Sequence, residues 1–225
     1  MNNLFITGTD TDVGKTVSTL AILQALNNQG IKAVGYKPIA DQCIDTPEGK
    51  RNKDALLIHR VSQDLVSYDE VNPVRLGDNY SHENSIDFNK INKGLDHLHE
   101  QSDIVVIEGN GGWRYLLDDN TFYADWLKKQ SVGVILVVGI QHGCVNHALL
   151  TAEAIRADGL PLVGWLANRI NPGLAHYAQI IQRMQQHINA PLLGEIPYLL
   201  RPEEKELGHY LDGEKLQEFV SVPAF

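Results

Sequence analysis

The run Gly8-Thr9-Asp10-Thr11-Asp12-Val13-Gly14-Lys15-Thr16 constrains this chain more than any other segment. A short apolar stretch, Leu4-Phe5-Ile6, precedes it, and an amphipathic segment from Thr16 to Asn28 follows. Strand, glycine loop and helix in that order form the layout of a phosphate-binding loop. Glycines let the backbone curl so that several N–H groups point at one anion. The helix N-terminus adds partial positive charge. Lys15 is placed for the outer phosphates and the Thr16 hydroxyl for Mg²⁺. Gly8 and Gly14 enclose five residues, one more than the common spacing. The competing reading is an ordinary turn with a chance Gly-Lys-Thr, which the flanking strand and helix disfavour.

A chain of 225 residues can bury a sizeable core as one α/β domain. The formal charge of −9 and the absence of a basic run argue against nucleic acid as a partner. Cys43 and Cys144 are the only cysteines, which disfavours a disulfide scaffold and fits a reducing cytosol. The chain starts directly into a strand pattern with no leader-like segment, and no apolar stretch approaches membrane-spanning length. A soluble cytoplasmic protein without a membrane partner is the expectation.

Short β-branched runs at 4–7, 33–37, 104–108, 132–139, 162–168 and 192–196 alternate with helical patterns at 15–28, 53–61, 87–99, 122–129, 146–158, 174–188 and, weakly, 203–210. The strands are nearly all apolar, as strands covered on both faces are. The alternation predicts an α/β fold: a single-domain, doubly wound, mostly parallel sheet of the phosphate-loop nucleoside triphosphatase type. Residues 41–52 and 76–86 read as polar loops, and no linker divides the chain. Ligands bind such sheets at the carboxyl ends of the strands.

Several polar residues sit at those ends. Lys37, in Gly35-Tyr36-Lys37-Pro38, ends the second strand and could neutralise charge on a transferring phosphoryl group, although most strand-end lysines are simply solvated. Glu108, in Glu108-Gly109-Asn110-Gly111-Gly112-Trp113, suits Mg²⁺, and the glycines permit close backbone approach to a ligand. Asp54 alone reads as a helix-dipole partner, and together with Thr16 and Glu108 as part of an oxygen-rich Mg²⁺ site. Asn168 suits a purine edge or a turn equally well. Asn146 reads first as a helix N-cap. No HExxH-type metal pattern and no Ser-His-Asp arrangement is present.

Taken together these blocks resemble dethiobiotin synthetase, an ATP-dependent carboxylase of biotin synthesis, from the N-terminus to about Tyr210. The long-spaced loop, Gly35-Tyr36-Lys37-Pro38, Arg51-Asn52-Lys53-Asp54-Ala55, Glu108 to Trp113, Gly143-Cys144-Val145-Asn146-His147-Ala148, Gly164 to Asn168 and Pro191 to Pro197 carry the resemblance. Asn168-Arg169-Ile170-Asn171-Pro172-Gly173 is similar to a divergent second copy of the enzyme found in some bacteria. The resemblance implies ATP and Mg²⁺ as cofactors, CO₂ and 7,8-diaminononanoate as substrates, and a homodimer with the substrate near the subunit interface.

It further implies Lys15 and Lys37 as catalytic residues and Asp12, Val13, Gly14, Lys15, Thr16 and Val17 as the phosphate loop. Asp54, Glu108, Gly109, Asn110 and Gly111 would continue the nucleotide site, with Thr16, Asp54 and Glu108 serving the metal. Asn168 and Arg169, with Pro197, Tyr198 and Leu199, would hold adenine. Asp41, Gly111, Gly112 and Asn146 would face the diamine. The chain departs from the common family pattern at Asp41-Gln42-Cys43, at residues 75–86, and at Asn110 and Arg114. An Asp41 carboxylate near a carbamate must either point away from it or pair with a cation. Two alternatives remain: a related ATP-dependent ligase with another substrate, and a nucleotide-switched, partner-binding ATPase. The second usually carries a lysine early in its phosphate loop, where this chain has Thr9 to Asp12.

Overall fold

β1 (Asn3–Gly8) lies at the centre of a six-stranded sheet, with every residue buried. The computed structural model describes residues 2–62, 65–76, 86–118 and 120–221. Along the sheet the strands run β10 (Leu192–Ile196), β9 (Leu162–Asn168), β8 (Val132–Gly139), β1, β7 (Ile104–Gly112) and β2 (Ala33–Tyr36). Every neighbouring pair is parallel. Two small sheets lie outside it. β3 (Ile39–Ala40) pairs in parallel with β6 (Val74–Arg75), and β4 (Ile44–Thr46) makes an antiparallel hairpin with β5 (Gly49–Arg51).

Helices cover both faces of the main sheet. Along β8, Ile135 and Val137 join the larger apolar cluster, while Leu136 and Val138 join a second one with Trp165. Alternate residues of one strand point to opposite faces, so each face has its own packed layer. The second layer is closed by α6 (Cys144–Ala157) and α7 (Tyr177–His187), through Ala148, Ala152, Ile181 and Met184. On the opposite face lie α1 (Lys15–Asn28) and α2 (Lys53–Ser62), whose Leu23 and Ile58 crowd Gly35 of β2. The next residue, Tyr36, reaches the Ile91 carbonyl of α4 (Phe88–Gln101), which therefore shares the α6 face with the short α5 (Tyr123–Leu127), where Tyr123 meets Phe5. The short α3 (Tyr68–Val71) lies beyond the end of β2. In α1, Leu20, Ala21, Ile22, Leu23, Ala25 and Leu26 are all buried. Apolar residues around most of a helix's circumference require cover on several sides. The sheet, α2, α8 (Gly213–Ser221) and a 3₁₀ turn at Gly208–Tyr210 supply it. Gly208 sits against the α1 backbone, where a Cβ would fall 2.8 Å from the Ala25 nitrogen.

The strands fall where the apolar runs predict, and the differences have local causes. β7 continues past Glu108 to Gly112, with Phe5 closing over Gly109 and Gly111 turned to φ 53°. Residues 41–52 are not simply a loop; they contain the β4–β5 hairpin. The predicted helix 203–210 breaks into two 3₁₀ turns, Pro202–Glu204 and Gly208–Tyr210. The helix of the 146–158 pattern starts earlier, at Cys144. Gly143 caps it at φ 84°, so Asn146 lies inside the first turn and is not its N-cap. Of the predicted 76–86 loop, residues 77–85 lie outside the described residues.

Asp158, just after α6, anchors the turn that follows β7. It accepts hydrogen bonds from Trp113 Nε1 at 2.7 Å and from an Arg114 guanidinium nitrogen at 2.6 Å, and Lys128 lies 3.4 Å away. Burial pushes its carboxyl up, but the bonds from Trp113 and Arg114 outweigh burial and hold it below its ordinary value. A depressed folded-state pKa contributes stability above the unfolded pKa that is lost as pH falls through the folded one. Asp158→Asn is therefore expected to lower the urea midpoint at about pH 6, with the gap to the unmodified protein closing toward about pH 3. An equal gap at both pH values would contradict this assignment.

Candidate active site

The phosphate loop leaves β1 at Gly8 and enters α1 at Lys15. Its curl rests on two left-handed residues, Asp12 at φ 59° and Gly14 at φ 94°. Aspartate tolerates that region better than most residues, and glycine meets no penalty there. A Cβ on Gly14 would also lie 1.9 Å from Asn168 Nδ2. Thr9 N donates to Val137 O at 3.0 Å, which ties the loop to β8. Asn168, at the end of β9, donates from Nδ2 to Val13 O at 2.9 Å. Val13 itself is buried beneath the loop.

Two strands and two helix starts bring the charged groups together. Lys37, just beyond β2, is buried and lies 2.7 Å from Glu108 Oε1 and 3.9 Å from Asp54 Oδ2. Thr16, in the first turn of α1, donates to the same Glu108 oxygen at 2.9 Å. Glu108 Oε2 is buried without a hydrogen-bond partner. Lys15 Nζ turns back to Asp10 O at 2.9 Å. Burial would lower the Lys37 pKa, but the Glu108 charge and hydrogen bond, with Asp54, raise it and favour the ammonium form. Burial lowers Lys15 and the neighbouring Lys37 adds to that, against the pull of Glu108. Burial and then the Glu108 charge raise Asp54.

These groups line one cleft of about 510 Å³. Of the sequence-predicted residues, Asp12, Gly14, Lys15, Thr16, Val17, Lys37, Asp41, Asp54, Glu108, Gly109, Asn110 and Gly111 line it. Gly112 lies just behind the lining, facing the Gly8 carbonyl. Asn168 sits under the loop, with Arg169 N donating to Ile196 O at 2.9 Å and thereby tying β9 to β10. Ile196 is paired with Asn168, so Pro197, Tyr198 and Leu199 continue from the next strand end. Tyr198 is exposed, and Arg169 stacks over the Tyr177 ring at 4.9 Å. Asn146 is exposed on α6 and does not line the cleft.

Sequence reasoning missed Thr11, Gln42 and Tyr115, which also line the cleft. Tyr115 comes three positions after Gly112, and an aromatic close behind the glycine run was the available signal. Its ring fills the space beside Gly111, and its hydroxyl lies 3.5 Å from Asp41 Oδ2.

Asn168→Ala is expected to raise the KM for ATP by about tenfold with little change in kcat, because the alanine leaves the Val13 carbonyl unpaired and the loop unbraced. Steady-state kinetics with ATP varied checks this. An unchanged KM would mean the brace does not matter for nucleotide binding.

A family model described as "AAA domain" matches residues 2–205. The chain is 51% identical over 225 residues to ATP-dependent dethiobiotin synthetase BioD 2 of Escherichia coli K12, covering 99% of this chain and 97% of that protein. It is 52% identical to the Yersinia pestis protein of the same name, over 94% of this chain and 97% of that one. It is 48% identical to ATP-dependent dethiobiotin synthetase BioD of Vibrio campbellii, over 94% and 96%. Among solved structures it is similar to the MinC:MinD cell division protein complex of Aquifex aeolicus, with a TM-score of 0.60 and 16% identity over 99% of this chain and 98% of that one. Cell division protein FtsY of Thermotoga maritima matches with a TM-score of 0.54 and 16% identity, over 99% of this chain and 69% of that one. At that identity the structural likeness carries the phosphate-loop fold alone. The sequence likeness, close to full length in both directions, carries more: the chain belongs to the ATP-dependent dethiobiotin synthetase family.

Proposed function

We propose that this chain, acting as one domain, uses ATP and CO₂ to convert 7,8-diaminononanoate to dethiobiotin, releasing ADP and phosphate. The observation that carries the reading is Lys37, a buried cation held by Glu108 in the same cleft as the phosphate loop. A nucleotide pocket that only binds and releases has no need of a second buried lysine beside the first. Two cations in one cleft suit a phosphoryl group in transfer to a second substrate. The loop positions Thr9 to Asp12 hold no lysine, which sets the chain apart from partner-switched ATPases.

The proposed reaction has three steps. One amine of the substrate adds to CO₂ and loses a proton, giving a carbamate. A carbamate oxygen then takes the γ-phosphoryl group, and the bond to the ADP oxygen breaks. The second amine attacks the carbonyl carbon of this mixed anhydride and loses its proton; phosphate leaves and the cyclic urea closes. The backbone N–H groups from Asp12 to Thr16 and the α1 N-terminus hold the outer phosphates. Lys15 and Lys37 neutralise charge on the transferring group.

Thr16, Asp54 and Glu108 fit Mg²⁺. Glu108 Oε2 is an orphaned buried oxygen, and hard oxygen donors are what that ion takes. Among the described residues no group of three His, Cys, Asp or Glu side chains could hold a metal ion. When bound, Mg²⁺ supplies charge neutralisation between the phosphate oxygens. Asn168, Arg169 and the segment 197–199 would receive adenine. Asn146 lies outside this cleft and would reach a diamine only across a homodimer, where Leu150, 58% exposed on the same helix, would be covered. Among the described residues no helix is long and apolar enough to cross a membrane. The reading places the enzyme in the cytoplasm.

The test is ADP release by the purified protein with ATP, Mg²⁺, bicarbonate and the diamine. Release that depends on both bicarbonate and diamine supports the reading. Release that ignores the diamine would turn it toward a different ligase or a switch ATPase.

A further inference from the structure

The Lys37 backbone is held from outside the main sheet. Its N–H donates to Val71 O at 2.8 Å, and its carbonyl accepts from Asn72 Nδ2 at 2.7 Å. Both partners stand at the end of α3. Asn52 opens α2 in the way a helix cap does: its Oδ1 accepts from Ala55 N and its carbonyl from Leu56 N, each at 3.0 Å. Asp54 follows two residues later, with Oδ2 3.9 Å from the Lys37 ammonium. One hydroxyl joins these two supports. Tyr68 Oη accepts from Asn52 N at 2.9 Å and donates to Asn72 Oδ1 at 3.1 Å. Asn52, Tyr68 and Asn72 are all buried, so water competes little for these bonds. The Tyr68 ring is fixed in turn by Arg51 and Arg75, whose guanidinium carbons lie 4.3 and 5.3 Å from its centroid, and both arginines pair with Asp69.

We propose that Tyr68 is a positioning residue whose hydroxyl, through Asn72 and Asn52, fixes Lys37 relative to the start of α2 and so sets where the Lys37 ammonium meets the transferring phosphoryl group. This rests on the role of Lys37 proposed above. Tyr68 does not line the cleft and acts only through the two asparagines. Glu108 holds the ammonium end of Lys37, and the bridge holds its backbone end. With the bridge cut, the backbone end can shift while Glu108 keeps the charge. A displacement of about 1 Å can cost on the order of a hundredfold in rate. The phosphate loop stands on other elements, β1 and α1, and does not share the bridge, so the cost falls on the chemical step and not on ATP binding. The ring packing and the arginine stacking need no hydroxyl, so Tyr68→Phe removes the bridge alone. It also leaves Asn52 N and Asn72 Oδ1 unpaired, which lowers stability and calls for a matched control.

The experiment measures diamine-dependent ADP release and a urea melt for the unmodified full chain, Tyr68→Phe and Tyr36→Phe. Tyr36 is the control because it loses the same group: its buried hydroxyl donates to Ile91 O at 2.8 Å, on α4 and away from α2 and α3. Both variants are expected to unfold at lower urea. Tyr68→Phe is expected to lower kcat about tenfold with the KM for ATP within about twofold, and Tyr36→Phe to keep kcat within about twofold. A similar kcat loss in both variants would make Tyr68 a stabilising residue only and overturn the inference. So would an unchanged kcat in Tyr68→Phe, or an effect confined to the KM for ATP. In each of those cases the unmodified protein still turns over, and the proposed reaction stands. No diamine-dependent release from the unmodified protein would overturn the proposed reaction and this inference with it.

Discussion

Lys15→Ala is expected to lower ATP-dependent turnover about a thousandfold or more, because Lys15 is the only loop side chain able to place a cation on the outer phosphates. Its ammonium donates to the Asp10 carbonyl oxygen at 2.9 Å. That bond is easily exchanged for phosphate. Burial also disfavours the charged form of Lys15, so a bound anion recovers what burial costs. The variant should fold normally, since alanine suits a helix start and leaves no buried charge unpaired. Steady-state kinetics together with a thermal melt check both halves. Turnover close to that of the unmodified protein would remove Lys15 from the reaction.

Lys37→Ala is expected to act on both rate and stability. Lys37 and Glu108 form a buried pair, 3% and 1% exposed, and Glu108 Oε2 already lacks a partner. Removing one member of such a pair typically costs about 3–5 kcal/mol, because the other charge stays buried alone. In the reaction the loss should fall mainly on kcat, by about a hundredfold or more, with a smaller effect on ATP binding, since the Lys37 charge matters most as the phosphoryl group transfers. A urea melt of Lys37→Ala beside the kinetics separates the two effects, because the melt reads the stability loss without ATP. Equal losses in kcat and ATP affinity for Lys37→Ala would argue for ground-state binding alone.

The parts of the site legible in the sequence were those imposed by the backbone. A phosphate loop needs a strand, residues that accept left-handed geometry and a helix start, and Gly8 to Thr16 displays all three. Strand ends were legible because strands buried on both faces leave polar residues mainly where the apolar run stops: Lys37 just beyond β2, Asn168 at the end of β9, and Glu108 where the apolar half of β7 gives way to glycines. Pairings across long separations were not legible. Nothing near Asn168 indicates that its amide braces the Val13 carbonyl, 155 positions away, so a purine edge and a turn looked equally good. Asn146 was misplaced because asparagine is a common cap, whereas Gly143 supplies the left-handed cap and starts the helix sooner. The weak pattern at 203–210 failed because its packing is set by contact of Gly208 with α1, which local periodicity does not reveal. α8 went unseen for a related reason: it is short, and its Leu216 is buried in the core of distant elements.

The central claim is that this cleft builds a cyclic urea from CO₂ at the expense of one ATP. The most direct measurement incubates the unmodified protein with ATP, Mg²⁺, diaminononanoate and ¹³C-bicarbonate and follows both products by mass spectrometry and ADP assay. The account predicts dethiobiotin carrying one ¹³C, at the carbonyl carbon of the ring, formed in equal amount with ADP. ADP formed without labelled product, or product formed without ATP, would contradict it.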